Sequence, residues 1–161
     1  MLKEKVQSSW YQKLEELLKN QRWKEADDET YRLMITTVGK EEGQWFESEE
    51  LLNFPGEVLL SIDRLWVKYS EGRFGFSVQK KLYLECGGVA DGQEHQRAWK
   101  NFCNTNGWIS NEGCRVVFDT SSPKGHLPSS ARVLGFGTSF DDGSGGFLGV
   151  MSVSLLSHHD L

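Results

Sequence analysis

The stretch GEVLLSIDRLWVKYSEGRFGFSVQKKLYLEC, residues 56–86, carries the clearest folding instruction in the chain. Its apolar residues Val58, Leu59, Ile62, Leu65, Trp66 and Tyr69 recur every three or four positions, which gathers them into one stripe along an α-helix. Gly72 closes that helix. From Phe74 to Cys86 a second period places Phe74, Val78, Leu82 and Cys86 on an inward helical face, with the consecutive Leu82, Tyr83 and Leu84 leaving a strand as the alternative. A Gly-flanked turn leading into an amphipathic helix accounts for Arg73, Phe74, Phe76 and Gln79 as structural residues.

On the N-terminal side, Ser8 and Ser9 are helix caps for a stripe of Trp10, Leu14, Leu17 and Leu18. Trp23, Ala26, Thr30, Leu33, Met34 and Val38 repeat the period before Gly39, which predicts two antiparallel amphipathic helices. Ser48, Glu50 and Leu51 begin a short turn that Pro55 ends. On the C-terminal side, His95, Ala98, Trp99, Phe102 and Cys103 define a fifth main helix between Gly92 and Asn106-Gly107. Arg115 to Asp119 reads as a short extended piece. Thr120 to Gly146 has no sustained period, and Phe147, Leu148, Met151 and Leu155 suggest a closing helix. The expected fold class is therefore all-α in a single domain over residues 1–161: a helical body over 8–106, a loop-rich lid over 107–146 and a closing helix over 147–161.

Composition supports a packed domain and removes several function classes. A chain of 161 residues with 38% hydrophobic residues hides roughly 68 to 70% of its unfolded surface on folding and requires no disulfide or metal staple. Cys86, Cys103 and Cys114 give neither C-x-x-C nor an even pairing, so they read as thiols in a reducing compartment. Net charge is −5, with 16 acids against 13 bases in residues 1–85 and 7 against 5 in residues 86–161. That balance argues against nucleic acid, which needs a basic footprint, and against docking on anionic lipid. No apolar run approaches the length of a transmembrane segment. Met1 to Val6 alternate Lys with Glu and lack the marks of a signal or transit peptide, so the chain is expected to be mature and soluble.

Residues with the chemistry for catalysis or metal binding are few. His95 and His126 stand alone, and the adjacent His158 and His159 point apart if they lie on a helix, so no metal site is expected. Asp119, Ser121, Ser122 and His126 hold the residue types of a nucleophilic triad without a G-x-S-x-G elbow, and loop composition explains them better. Cys103 with His126 is a Cys/His pair only in type, because Cys103 falls on an apolar stripe. The acidic run Asp27, Asp28, Glu29 reads as a solvated helix face. What remains is an excess of aromatic residues off the helical stripes: Trp45, Phe46, Trp108, Phe136 and Phe140. They form either a satellite core covered by the long loop or a shallow apolar cleft for a flat ligand.

The string SIDRLWVKYSEGRFGFSVQKKLYLECG, residues 61–87, closely resembles the signature of the genomes-uncoupled-four family of tetrapyrrole-binding accessory proteins of magnesium chelatase. RWKEADDETYRLM from Arg22, GHLPSSARVLG from Gly125 and SLLSH from Ser154 extend the resemblance over nearly the whole chain, in order. It implies an all-helical core shaped like a cupped hand. It also implies a non-catalytic regulator that binds protoporphyrin IX and Mg-protoporphyrin IX, stimulates magnesium chelatase in chlorophyll biosynthesis and has a role in tetrapyrrole signalling. The large porphyrin-binding subunit of the chelatase is the implied protein partner. The implied location is a cyanobacterial cytoplasm or plastid stroma, with the thylakoid surface as an alternative.

By position within the matching motifs, the implied porphyrin-binding residues are Val38 and Phe46 in the first loop, Trp108 after the fifth helix, and Leu127 and Arg132 in the GHLP-containing loop. Arg115, Lys124 and Arg132 are the bases beyond residue 100, so the two propionates of a porphyrin are expected among them, Lys124 included. Magnesium, a hard ion, takes a water or loop oxygen as fifth ligand, with His126 a weaker alternative. Three departures stand out. Only some seven residues precede the first expected helix, where some relatives carry an additional helical bundle. Gly56 stands where Cys is common in the pattern, harmlessly at a helix start. Phe136 to Gly146 looks longer than usual. Alternative readings are a bilin or haem binder, a protein-interaction module, and an enzyme built on Asp119, Ser122 and His126.

Overall fold

The computed structural model describes residues 2–110, 113–129 and 153–161, and the architecture within them is helical. In chain order the elements are α1 (Leu2–Lys19), α2 (Trp23–Thr37), α3 (Ser48–Leu52), α4 (Gly56–Tyr69), α5 (Phe76–Glu85), α6 (Gln96–Thr105), and a two-stranded antiparallel ribbon of β1 (Ile109–Ser110) and β2 (Gly113–Cys114). The all-α class read from the periodicity is thus the class observed, with a ribbon of two residues per strand as its one extended feature among the described residues. None of these helices is long and apolar enough to cross a membrane.

The main core forms where α1, α2 and α4 meet, because each contributes one apolar stripe. Leu14, Leu17 and Leu18 of α1 close on Leu33, Met34 and Ile35 of α2 and on Leu59, Ile62 and Trp66 of α4, all of them buried. Trp23 stacks on Trp66 at 6.0 Å between ring centroids, and Phe74 meets both indoles edge-on. Burying each such side chain contributes about 1.5–3 kcal/mol. The polar end of Trp66 is also satisfied, since its Nε1–H donates to Thr30 Oγ1 at 2.9 Å and the Thr30 hydroxyl donates in turn to Ala26 O. A second cluster lies between α5 and α6, where Tyr83, Trp99 and Phe102 pack as mutually tilted rings beside Ala98 and Cys103.

Four expectations need correction. Helix α1 begins at Leu2 rather than at Ser8, because the preceding Lys, Glu and Gln are good helix formers and a serine caps only where the chain before it leaves the helix. Trp10 lies outside the buried stripe, 43% exposed. The buried face of α5 is Phe76, Gln79 and Tyr83, not Phe74, Val78, Leu82 and Cys86. Phe74 belongs to the turn before α5, whose first residue follows Gly75 at φ +136°, so the inward register is set from Phe76. The acidic run is not a solvated face: Asp27 and Glu29 are buried. Glu29 pairs with Lys13 of α1 at 2.8 Å and with Arg32. Burial works to raise its pKa, and the hydrogen bonds and charges of Arg32 and Lys13 outweigh it, holding the carboxyl below the usual range.

The chain end ties the two clusters together. Residues 153–156 make one helical turn, from which Val153 and Leu156 enter the second cluster and Leu155 the first. Lys80 Nζ donates to His158 O at 2.8 Å and Leu161 O at 2.9 Å. Of the expected closing helix, Phe147, Leu148 and Met151 lie outside the described residues.

Gly75 and Asp63 together set the entry to α5. A Cβ at Gly75 would meet Asp63 Oδ1 and Val67 Cγ2, each at 2.8 Å, and Asp63 Oδ1 accepts the Ser77 N–H at 2.9 Å, satisfying one of the first-turn donors of α5. Asp63→Ala is expected to cost about 1 kcal/mol, the worth of a helix-cap acceptor. A lower urea midpoint with an unchanged denaturant slope, followed by circular dichroism, is the outcome that checks it.

Candidate functional site

The candidate site is built on the loop that follows α6, and the reason that loop holds a shape is polar. Residues 122–129 are buried except Pro123 and Lys124, and buried backbone groups must find partners. They find them on the α4–α5 turn, α5 and α2. Gly125 N–H donates to Arg73 O at 2.8 Å, and Gly75 N–H donates to Leu127 O at 3.0 Å. Arg73 Nη2 donates to Ser122 O at 2.8 Å. Gln79 Nε2 donates to both Gly125 O and Pro128 O. Asp27 Oδ1 accepts the Ser129 N–H at 2.5 Å. The structural reading of Arg73, Phe74, Phe76 and Gln79 is met: both rings are buried, and the two polar side chains hold the loop.

His126 knits this segment to the end of α6. Its Nδ1 lies 2.7 Å from Asn106 O, a carbonyl that can only accept, so Nδ1 carries the proton. Its Nε2 accepts the Val117 N–H at 2.8 Å. The imidazole is therefore neutral, in one tautomer, with both nitrogens engaged. Burial pushes its pKa down, against the Asn106 hydrogen bond and the Asp119 charge, which pull up. Trp108 Nε1–H donates to His126 O at 2.8 Å, and Arg115 N–H donates to Trp108 O. Gly107 is the required hinge: its φ is +79°, and a Cβ there would stand 2.8 Å from Pro123 Cγ.

The apolar rim of the loop is half-buried. Trp108 and Ile109 pack on the second cluster, with the Trp108 ring 5.4 Å from Phe102 and 6.2 Å from Trp99, while Val116 and Phe118 pack on the main one. Arg115 and Lys124, in the same loop, are exposed. The α2–α3 loop is pinned by Tyr31, whose hydroxyl accepts from Gly43 N–H and donates to Gln44 O, and by Lys40, which donates to Trp45 O and Glu50. This splits its aromatic pair: Phe46 is fully buried and Trp45 is 48% exposed. Of the six porphyrin-binding candidates, Val38 and Trp108 are half-buried with surface to offer and Lys124 is exposed. Phe46 and Leu127 are fully buried in the main core. Arg132 lies outside the described residues, as do Phe136 and Phe140.

The catalytic residue types do not assemble. Ser122 Oγ–H donates to Asp119 O, Ser121 bonds the Asp119 carboxylate, and His126 spends both nitrogens on backbone. Cys103 is buried in the α6 cluster. His158 and His159, expected to point apart, stack at 4.7 Å because they lie in a turn rather than a helix, and with Asp160 they form a compact group. His158 nevertheless has no nitrogen to spare, since Nε2 bonds Phe54 O at 2.7 Å and Nδ1 accepts the Asp160 N–H. Sequence reasoning missed the buried role of Asp27 and, while reading Gln79 as structural, did not assign it the two loop carbonyls it holds. The signal available was a polar residue at a core register position, Gln79 standing three residues after Phe76 and four before Tyr83. At Gly56 a Cβ would meet the exposed Asp160 carboxylate, the end of a side chain that can swing aside.

These features define an all-α fold in which residues 122–129, in the loop that follows α6, are clamped by buried polar groups onto a helical body. The chain belongs to the GUN4-like family, whose family model matches residues 4–139. Its fold is similar to the ligand-free structure of Arabidopsis thaliana GUN4, with a TM-score of 0.67 at 25% identity over 94% of this chain and 93% of that one. It is also similar to GUN4 from Chlamydomonas reinhardtii, with a TM-score of 0.68 at 23% identity over 93% and 88% of the two chains. A chloroplastic protein of Arabidopsis thaliana named tetrapyrrole-binding protein is 47% identical over 75 residues, 45% of this chain and 28% of that protein. A Ycf53-like protein of Synechocystis is 34% identical over 132 residues, 78% of this chain and 53% of its own length. The chain thus spans about half the length of the latter relative and less of the former.

The clamp makes a direct prediction. Gln79→Leu removes the donor from two buried carbonyls and should cost about 2 kcal/mol or more, since each stranded polar group is worth about 1–3 kcal/mol. Limited proteolysis should then cut within residues 119–129 faster than in the parent protein, with helix content retained.

Proposed function

We propose that this chain binds a tetrapyrrole, protoporphyrin IX or its magnesium complex, and acts as a non-catalytic accessory that stimulates magnesium chelatase through the large porphyrin-binding subunit. The observation that carries the reading is the loop after α6: half-buried Trp108, Ile109, Val116 and Phe118 in the same segment as the exposed cations Arg115 and Lys124. A porphyrin has a broad apolar face and two carboxylates, and this rim offers both counterparts in a protein whose net charge is −5. The name of the Arabidopsis relative supports the same ligand class. The engaged state of Ser122 and His126 supports a binding role over a catalytic one. His126 would not hold a bound magnesium ion, since both its nitrogens are engaged, and an oxygen of water or of the loop would suit that hard ion better. The relatives from a chloroplast and a cyanobacterium support a plastid stroma or cyanobacterial cytoplasm as its location.

Titration with Mg-deuteroporphyrin is expected to quench tryptophan emission saturably at micromolar ligand, and a flat response would refute the reading. In a magnesium chelatase assay at limiting magnesium, added protein should raise the rate of insertion. For the propionates, Arg132→Ala is expected to weaken a dicarboxylic porphyrin roughly five- to tenfold, the worth of one charged hydrogen bond. The same change should leave the affinity for the dimethyl ester of that porphyrin nearly unaltered. Equal losses for acid and ester would remove Arg132 from the ligand's carboxylates.

A further inference from the structure

The geometry points to His126 as the positioning residue of this site: its neutral imidazole is a two-ended latch that ties Asn106 to Val117 and sets the Trp108 indole for a flat ligand. The inference rests on the tetrapyrrole reading above and adds the residue that gives the apolar rim its shape. His126 is 1% exposed and touches three points of the loop at once. Nδ1–H reaches back to the last carbonyl of the α6 end at Asn106, and Nε2 takes the amide proton of Val117 beyond the β ribbon. Its own carbonyl holds the Trp108 ring by Nε1. Asn106 reinforces the same corner, its Oδ1 accepting the Trp108 N–H at 3.0 Å. A donor at one end and an acceptor at the other, on a rigid ring, is what a neutral imidazole supplies. An aliphatic side chain of similar size supplies neither.

Protonation would undo the latch by a definite route. A proton on Nε2 turns the acceptor facing the Val117 N–H into a donor, so two donors oppose each other in a buried site. Asp119 is the charged group that acts on the ring. Its carboxylate already accepts from Ser121 N–H and Oγ–H. The other groups packed on His126, namely Asn106, Gly107, Trp108, Val117 and Pro123, do not titrate. With its pKa lowered by burial, His126 keeps the latch closed at and above the ordinary imidazole value of about 6.5. Its contribution is lost as the pH falls through the depressed value.

The test uses the full chain labelled with 5-fluorotryptophan, the Trp108 resonance being assigned by its loss in Trp108→Phe. His126→Leu is compared with the parent, with His126→Asn, which keeps a donor near Nδ1, and with His126→Gln, which keeps an acceptor near Nε2. In His126→Leu the Trp108 fluorine resonance should shift and broaden and the Val117 amide should lose hydrogen-exchange protection, while far-UV circular dichroism is unchanged. Mg-deuteroporphyrin affinity at pH 8 should fall about tenfold. The two polar variants should recover part of that loss. Acidification of the parent should reproduce the Leu spectrum below pH 6.5, and the Leu variant should show no such transition. A parent that binds porphyrin while His126→Leu binds equally well, with an unmoved Trp108 resonance, overturns the inference. A parent that binds no porphyrin overturns the functional reading instead, and the ligand role with it. If His126→Leu does not fold, the acid titration of the parent decides: an unshifted Trp108 resonance and a protected Val117 amide across the transition refute the latch.

Discussion

The structure depends on one constraint, that a buried loop must have its backbone polar groups answered. Residues 125–129 run over the helical body where water cannot reach them, and each unanswered amide or carbonyl there would cost about 1–3 kcal/mol. The helical body answers with the Gln79 amide on two carbonyls, the Asp27 carboxylate on Ser129 N–H, and the backbone of Arg73 and Gly75 in the α4–α5 turn on Gly125 and Leu127. The polar contacts of residues 125–129 therefore lie beneath the loop. They explain why the loop stays in place without a period of its own.

The helical body was legible from the sequence because it rests on apolar periodicity, which is a local signal. The stripes of α2, α4 and α6 appear in the structure with the residues expected, Leu33 with Met34, Ile62 with Trp66, Trp99 with Phe102. What failed was decided by partners distant in sequence. Asp27 and Glu29 read as a solvated face because nothing local announces Ser129, 102 residues away, or Lys13 on the neighbouring helix. The α5 register slipped because Phe74 has the right period and the wrong backbone: Gly75 ends the turn after it. The site was legible in kind and only partly in detail. Trp45 and Phe46 are equivalent as sequence, and the Tyr31 and Lys40 clamps that turn one out and the other in are tertiary facts.

His126 shows how residue type misleads when geometry is unknown. In the sequence it supplies a triad base, a thiol partner or an axial metal ligand, since each needs an imidazole nitrogen with a lone pair or proton to give. In the folded chain both nitrogens are committed to backbone, so all three roles close together. The same argument removes His158 as a ligand from the compact His158, His159, Asp160 group, because its nitrogens are used by Phe54 and Asp160. A histidine's chemistry is decided by what its nitrogens already hold. Here the two buried imidazoles, His126 and His158, are also the two with both nitrogens committed.

Charge and apolar surface then divide the work of the proposed site between them. Arg115 and Lys124 are exposed, and cations in water are screened within about 8–10 Å at physiological salt, so they contribute little to holding a ligand once it is seated. Their contribution lies in attracting a dianion toward one edge of a protein whose net charge of −5 would otherwise repel it. Retention must come from flat apolar contact, and that contact is strong only if the rim is already in its bound shape, because ordering a loop at the moment of binding would consume the gain. Trp108, held at its ring nitrogen, at its backbone amide and against Phe102 and Trp99, is the residue of the rim most fully ordered in advance. The buried polar network and the greasy rim are accordingly one device. The first removes the entropy cost that the second would otherwise meet.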